Sequence, residues 1–267
     1  MTLCALYVAA AIAMFFLWWR QQRSRNANAV DAAWSLSFAV AVPWIVLGLD
    51  SRRAWVAALV PVLWSLRLGL YLLSTRVLKA KAEDRRYASL RQRGWGSRQF
   101  FVFYQVQALL IWLLLVPMEG GLKGATIEGN PFFGVGLLWG LGSILGEALA
   151  DRQLKAFASD PSNRGKTCDR GLWRYSRHPN YFFEWLHWWT YVIWAAGALV
   201  AGAENAALTF ALTLLGPVVM MAFLFKVTGI RPTEARSLES RSDYADYQRR
   251  TSLFFPWPPK STKRGHR

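Results

Sequence analysis

The chain alternates long apolar runs with short polar stretches, most of them basic. Seven apolar runs stand out, at 3–19, 28–49, 54–78, 100–117, 131–150, 180–203 and 206–227. Most reach the ~18–20 residues that a helix needs to cross the hydrocarbon core of a bilayer. The pattern predicts an all-α, polytopic membrane protein with about seven transmembrane helices. It reads as a single transmembrane domain over 1–257, followed by a basic mobile tail over 258–267. The first run has the length of a span. Its charges, Arg20, Arg23 and Arg25, follow the apolar residues, and it carries no small-residue cleavage site, which argues against a secretory signal.

The polar stretches set an orientation. If spans alternate, the basic clusters at 20–25, 79–98, 152–177 and in the tail all fall on one side. The N-terminus, Arg52 and Arg53, the 118–130 loop and Glu204 fall on the other. The positive-inside rule makes the basic side cytoplasmic, with the N-terminus out and the C-terminus in. Only Arg52 and Arg53 pull the other way.

Composition sharpens this reading. The chain is 54% hydrophobic, with 15 Trp and 16 Phe, and carries a net charge of +16. Such a charge invites a nucleic-acid partner, but here it flanks spans, and no zinc finger, recognition helix or aromatic RNA-binding signature is present. The two isolated cysteines, Cys4 and Cys168, make neither a metal site nor a disulfide framework. No metal and no nucleic acid are expected, and membrane lipid is the obvious partner.

The stretch Gly171-Leu172-Trp173-Arg174-Tyr175-Ser176-Arg177-His178-Pro179-Asn180-Tyr181 is polar, cationic and aromatic between two apolar segments. Pro179 fits the first position of a helix, where its missing N–H costs nothing, with His178 or Ser176 at the cap. Asn180, Glu184 and His187 then share one helix face. A helix N-terminus beside Arg174 and Arg177 suits a phosphate or carboxylate. A basic loop touching lipid headgroups is the simpler reading, but it leaves Asn, Glu and His inside a span unexplained.

Other polar residues enter the spans, each at a cost of about 2.5–3.5 kcal/mol at a helix centre. Glu147, Asp151 and Lys155 lie at i, i+4 and i+8. Asp31 opens the second run, Arg67 lies within the third with Tyr71 one turn on, and Gln105 and Gln107 lie in the fourth. Taken singly, each has a structural explanation, such as an Asp31–Arg67 pair between helices. Taken together, they predict a polar cavity opening to the cytosol. The tail residues Arg231, Glu234, Tyr244 and Tyr247, ahead of Phe254-Phe255-Pro256-Trp257, read either as an interfacial helix or as a cationic lid on that cavity. Motifs that are missing narrow the chemistry: there is no HExxH, no GxSxG and no Walker A. Gly134-Val135-Gly136 follows no strand, so a Rossmann site has no support.

The segment with its Arg177-His178-Pro179-Asn180-Tyr181 core and Glu184 resembles the signature of bacterial steroid 5α-reductase-like membrane enzymes. Their superfamily includes sterol C14-reductases and isoprenylcysteine carboxyl methyltransferases. The resemblance extends through Asp151 and Lys155 before the core, and through Glu234, Tyr244, Tyr247 and Phe255-Pro256 after it. Asp31-Ala32-Ala33-Trp34, Trp64-Ser65-Leu66-Arg67 and Glu83-Asp84-Arg85-Arg86-Tyr87 look like elements of the bacterial branch. The resemblance implies a seven-helix fold in a bacterial inner membrane, with the active site facing the cytoplasm and NADPH bound there without a Rossmann domain. Carried over by residue, Asp151, Lys155, Arg174, Tyr175, Arg177, His178, Asn180 and Glu184 would form the cofactor pocket, and Arg231, Glu234, Tyr244 and Tyr247 would close it. The Gln-Glu pair and the Tyr that grip a 3-oxo group in steroid 5α-reductases are replaced. Asp31 stands nearest the Glu, and Trp64 takes the place of the Tyr, so the acceptor need not be a steroid.

The expected reaction is NADPH-dependent reduction of an activated C=C bond in a lipophilic, steroid- or isoprenoid-like enone. Hydride goes to the β-carbon, and a hydrogen bond or proton at the carbonyl oxygen stabilises the developing enolate. Asp31 is the expected acid, assisted by Arg67 or Tyr71, with Glu83 as a further candidate. The arginines would hold the cofactor's phosphates through two-point pairing. Two other classes stay open: an S-adenosylmethionine-dependent membrane methyltransferase and a non-enzymatic lipid-binding protein. The excess of arginine favours a cofactor that carries phosphates.

Overall fold

The computed structural model describes residues 2–227 and 229–260, with Val227 described by its backbone alone. Eleven α-helices account for nearly all of it: α1 (Thr2–Ser24), α2 (Ala29–Leu47), α3 (Arg52–Leu72), α4 (Arg85–Gln92), α5 (Ser97–Thr126), α6 (Phe133–Ser159), α7 (Pro179–Val200), α8 (Ala206–Thr213), α9 (Leu215–Ala222), α10 (Ile230–Ser240) and α11 (Tyr244–Arg250). Among the described residues the only β-type pairing is an isolated bridge between Ser176 and Ser252.

Six helical segments are long and apolar enough to cross a membrane, and five of the expected runs fall on α1, α2, α3, α5 and α6. The sixth segment begins at Ala206, where the last run was expected. The run at 180–203 forms α7, a helix of 22 residues. It falls outside the six by composition, not length: four Trp and two Tyr, together with Asn180, Glu184 and His187, lower its hydropathy. The run at 206–227 is not one continuous α-helix. It breaks at Leu214 and ends in a π-helical turn at Phe223–Val227. Pro217 explains the break, because it has no N–H to offer the carbonyl of Thr213 four residues back.

Backbone packing groups the chain into two compact units. The first runs to Gly134 and includes Tyr191–Leu215; the second comprises Val135–Thr190 and the chain from Gly216 onward. In the first unit α2 lies against α3. A Cβ at Gly69 would come within 2.5 Å of the Leu36 side chain, so only glycine permits this approach. Nearby, the fully buried Ser65 hydroxyl donates to the Ser35 carbonyl at 2.6 Å and accepts from the Ala39 amide at 2.9 Å, tying α3 to a rung of α2. On α5, Gly121 and Gly124 meet the backbone of Tyr191 and Trp194 so closely that an added Cβ would sit at 2.6 and 2.7 Å. Small residues at such contacts let membrane helices pack at backbone distance. The buried Asn130 amide closes this corner by donating to the carbonyls of Gly124 (2.8 Å) and Trp194 (3.0 Å).

Arg53 also acquires a structural role in this unit. It donates to the carbonyl of Ile127 at 3.0 Å, at the C-terminus of α5, where helix carbonyls lack partners and the helix dipole favours a cation. Capping thus gives Arg53 a structural reason of its own.

In the second unit α6 and the first half of α7 run side by side. Trp139 donates to the Leu186 carbonyl at 2.9 Å, and a Cβ at Gly146 would overlap the Phe183 ring. The loop after α6 returns to it: Trp173 donates to the Ala150 carbonyl and the Leu172 amide donates to Gln153, both at 2.9 Å.

Candidate functional site

The second unit contains the stretch that dominates the sequence. α7 starts at Pro179. The Ser176 hydroxyl accepts from the His178 amide at 3.1 Å, so the helix begins on the proline and serine its sequence supplies. His178 is buried and its ring stacks on Tyr181 at 5.3 Å. Along α7, Asn180 is half-buried, while Glu184 and His187 are buried on the predicted shared face. Asn180 donates to Asp151 on α6 at 3.1 Å, which joins the two sequence elements assigned to one pocket.

Glu234 on α10 is the hub of this unit. It accepts from Arg177 Nε at 2.7 Å and Nη2 at 3.3 Å, and from Gln248 at 2.9 Å and the Tyr244 hydroxyl at 3.3 Å. His178 Nε2 lies 3.2 Å away. Arg177 spends its remaining donor on the carbonyls of Gln248 (2.8 Å) and Thr251 (3.2 Å). A guanidinium committed at so many points orients its neighbours; it does not swing. The tail fastens the loop at further points. The Tyr247 hydroxyl donates to the Trp173 carbonyl, Thr167 donates twice to Asp243, Arg250 pairs with Asp169 at 2.9 Å, and the Trp257 amide donates to the Tyr175 carbonyl at 2.9 Å.

These contacts shift the titrating groups around them. Burial raises the Tyr244 phenol to about 12, helped by the charge of Glu234. Tyr247 is pushed up still further, mainly by burial. For Asp243 burial acts upward, but the Thr167 hydrogen bonds prevail and hold its carboxyl below the ordinary value. Both phenols are therefore hydroxyl donors at neutral pH.

Lys155, Arg174 and Arg231 present exposed side chains, and none of them makes an ion pair among the described residues. Tyr175 is 42% exposed. The predicted set thus divides into two kinds. Asp151, Arg177, His178, Asn180, Glu234, Tyr244 and Tyr247 are bonded to one another or to the loop, whereas Lys155, Arg174 and Arg231 stand exposed.

The first unit holds the predicted acids. Asp31 opens α2, where its Oδ2 accepts from both Arg76 and Arg86 at 2.5 Å and its Oδ1 from the Tyr87 hydroxyl at the same distance. Asp84 caps α4 by accepting from the Arg86 amide at 2.9 Å. Glu83 accepts from the Ala27 amide at 2.8 Å and from Arg91 at 2.9 and 3.1 Å. Asn28 ties the same corner to the carbonyls of Arg76 and Ala82. Burial acts to raise the Asp84 carboxyl, but hydrogen bonds and charge from Arg86, with the charge of Arg76, bring it below its ordinary value. Burial first, and then the Asp31 charge, push the Tyr87 phenol well above its usual range. The Tyr87 phenol thus keeps its proton and donates it in a hydrogen bond to Asp31. Arg67 is half-buried on α3, and Tyr71 is 52% exposed.

Sequence reasoning singled out Asp31 and Glu83, quoted Arg86 and Tyr87 only as part of a motif without a role, and missed Arg76 and Arg91; these four residues hold the two acids. In the second unit it missed Gln248. The basic stretch around 85–91 was visible, but its function as a clamp on the start of α2 depends on contacts some 55 residues apart. Among the described residues no group of three or more His, Cys, Asp or Glu is arranged to hold a metal ion.

An all-helical chain with six segments able to cross a membrane and polar networks at helix ends defines a class, the polytopic helical membrane proteins. Within that class the chain belongs to the family described as "Protein of unknown function (DUF1295)", whose pattern matches residues 16–251. It is also 28% identical over 269 residues to the Schizosaccharomyces pombe protein "Uncharacterized protein C594.04c", an alignment that covers 90% of this chain and 75% of the yeast protein. No solved structure matches the chain.

Proposed function

We propose that this protein is an NADPH-dependent reductase of an activated C=C bond in a lipophilic enone, related to steroid 5α-reductase-like enzymes. It would lie in a bacterial inner membrane, with α7 as a seventh span and the cofactor side toward the cytoplasm. One observation carries the reading. In the second unit the Arg177-His178-Pro179-Asn180 corner is fixed by Glu234 and Asp151, while Lys155, Arg174 and Arg231 keep their charges unneutralised. That donor set fits a cofactor with several phosphates. Lys155, Arg174 and Arg231 would hold those phosphates, and arginine suits them by two-point pairing. Tyr244 and Tyr247, buried and kept protonated, spend their hydroxyls on Glu234 and the Trp173 carbonyl and so brace the corner. When bound, NADPH supplies the hydride. The protein's own part is to orient it and keep water out.

The hydrogen bond to the acceptor's carbonyl is assigned to the candidates Asp31, Glu83, Arg67 and Tyr71. Tyr87 joins them because its hydroxyl is oriented by Asp31. The decisive experiment is thermal shift of the purified protein in mild detergent with NADPH, NADH and S-adenosylmethionine, followed by NADPH oxidation with enone lipids. Stabilisation by NADPH and enone-dependent oxidation are expected. Stabilisation by S-adenosylmethionine in place of NADPH would turn the assignment to a methyltransferase, and no response to any of the three would turn it to a lipid-binding protein.

A further inference from the structure

A second anion-binding feature lies in the tail, independent of the cofactor reading. A half-open cavity of about 330 Å³ is lined by Arg177, Gln248–Leu253, Trp257, Pro258 and Lys260. Its lining includes four basic residues, Arg177, Arg249, Arg250 and Lys260, and no acid. The walls are preformed. The Lys260 amide donates to the Arg250 carbonyl at 2.9 Å, so residues 250–260 form a closed loop, and the Trp257 amide pins that loop to Tyr175. Pro256, Pro258 and Pro259 stiffen it. Pro258 to Lys260, the start of the expected mobile tail, thus fold back on Arg250; residues 261–267 lie outside the described set.

The loop sits at the level where spans end. Phe254 is buried against Phe182, Trp185 and Phe225, at the start of α7 and in the π-helical turn that closes the 206–227 run. Beside it, Phe255 and Trp257 are 55% and 70% exposed. Exposed aromatic side chains at a span's end are anchors for the headgroup region of a bilayer. The loop therefore places two membrane anchors beside a cationic cavity of headgroup size.

We propose that this cavity binds the phosphate of an anionic phospholipid headgroup. Arg249 and Lys260 reach it from the rim, Arg177 and Arg250 line its wall, and Phe255 and Trp257 hold the loop at the bilayer surface. Arg177, Arg249 and Arg250 each have an acidic partner, Glu234, Asp246 and Asp169, and none of these acids lines the cavity, while Lys260 has no ion pair among the described residues. Negative potential at an anionic leaflet draws such juxtamembrane cations.

The full-length protein would be placed in nanodiscs of phosphatidylglycerol mixed with phosphatidylcholine, and the retained lipid read by native mass spectrometry. A double variant, Arg249→Gln with Lys260→Gln, spares Arg177 and Arg250, which hold the fold. The wild type should retain phosphatidylglycerol over phosphatidylcholine. The double variant, with an unchanged melting temperature, should lose roughly thirtyfold in that preference, the loss expected for two basic groups at a membrane surface. Equal retention of the two lipids, or a preference untouched by the double variant, would overturn the proposal. Displacement of the lipid by inorganic phosphate or NADPH at concentrations that leave the bilayer intact would reassign the cavity to a soluble phosphate compound. A double variant that melts lower would be replaced by Trp257→Ala and Phe255→Ala, for which loss of phosphatidylglycerol retention supports the proposal and full retention sinks it.

Discussion

Arg177 and Glu234, 57 residues apart, meet through two parallel hydrogen bonds, Nε to Oε1 at 2.7 Å and Nη2 to Oε2 at 3.3 Å. Their side chains are only 12% and 15% exposed. The pair joins the start of α7 to α10, so losing one partner leaves a charge largely out of water. Glu234→Ala should cost about 3 kcal/mol, in line with breaking a buried ion pair. Arg177→Lys should be nearly as damaging, because an ammonium cannot make the two-point contact. Thermal unfolding in detergent reads both, and a melting temperature unchanged in either variant would contradict the hub.

The phosphate-facing cations should separate from the structural ones. Arg174→Gln and Arg231→Gln remove exposed side chains, so melting temperatures should hold within the scatter of surface substitutions. NADPH affinity should fall by roughly tenfold for each, the worth of one charge-assisted hydrogen bond. Titration of NADPH quenching of tryptophan fluorescence would show it.

Asp31 and Tyr87 admit a two-variant test of the acid. Tyr87→Phe deletes the hydroxyl but leaves Asp31 its two guanidiniums. Asp31→Asn keeps the shape and removes the charge. If the phenol supplies the hydrogen bond, enone turnover should drop by about 10²-fold or more in Tyr87→Phe, as when one oxyanion donor is lost. Equal turnover in wild type and Tyr87→Phe, with a loss in Asp31→Asn, returns the role to the carboxyl.

Acid should loosen two specific contacts. The carboxyls of Asp84 and Asp243 titrate below their ordinary value of 3.8 when folded. For a depressed acid, the stabilisation is complete above the unfolded pKa and is lost as pH falls below it toward the folded one. Hydrogen exchange at α4 and α11 should therefore be constant from neutral pH to about 4, once corrected for intrinsic rates, and should rise below that. Asp84→Asn should remove the pH-dependent part at α4 alone.

Glycine substitutions should divide by contact. Gly124→Ala places a Cβ against the Trp194 backbone and should cost about 1–3 kcal/mol through overpacking. Gly142→Ala on α6 meets nothing within 4 Å and should leave thermal stability unchanged or slightly raised.

Much of this architecture can be read from the chain. Long apolar runs announce spans because bilayer thickness fixes their length, and Pro179 with Ser176 announces the start of α7 because capping is local. The Arg177–Glu234 pair was legible only as two charged residues in suggestive segments; no periodicity connects positions 57 apart. The clamp on Asp31 was not legible: Arg76 and Arg86 lie 45 and 55 residues away, and no periodicity brings them to the start of α2. Asn130 gave no signal at all. A lone Asn in a Gly-rich loop looks like a turn, and only the close approach of α5 to Trp194 turns it into a buried bracket.

The fastening of the Trp173–His178 loop by Glu234, Tyr247 and Trp257 has a consequence for biogenesis. These three straps come from residues translated later than the loop, whereas its contacts to α6, through Trp173 and Leu172, can form earlier. While the ribosome is still making α8 and α9, Arg177 has no Glu234 to pair with. A polypeptide cut short before Glu234 would thus display that arginine to quality-control proteases, and synthesis of α10 and α11 is the event that locks the loop.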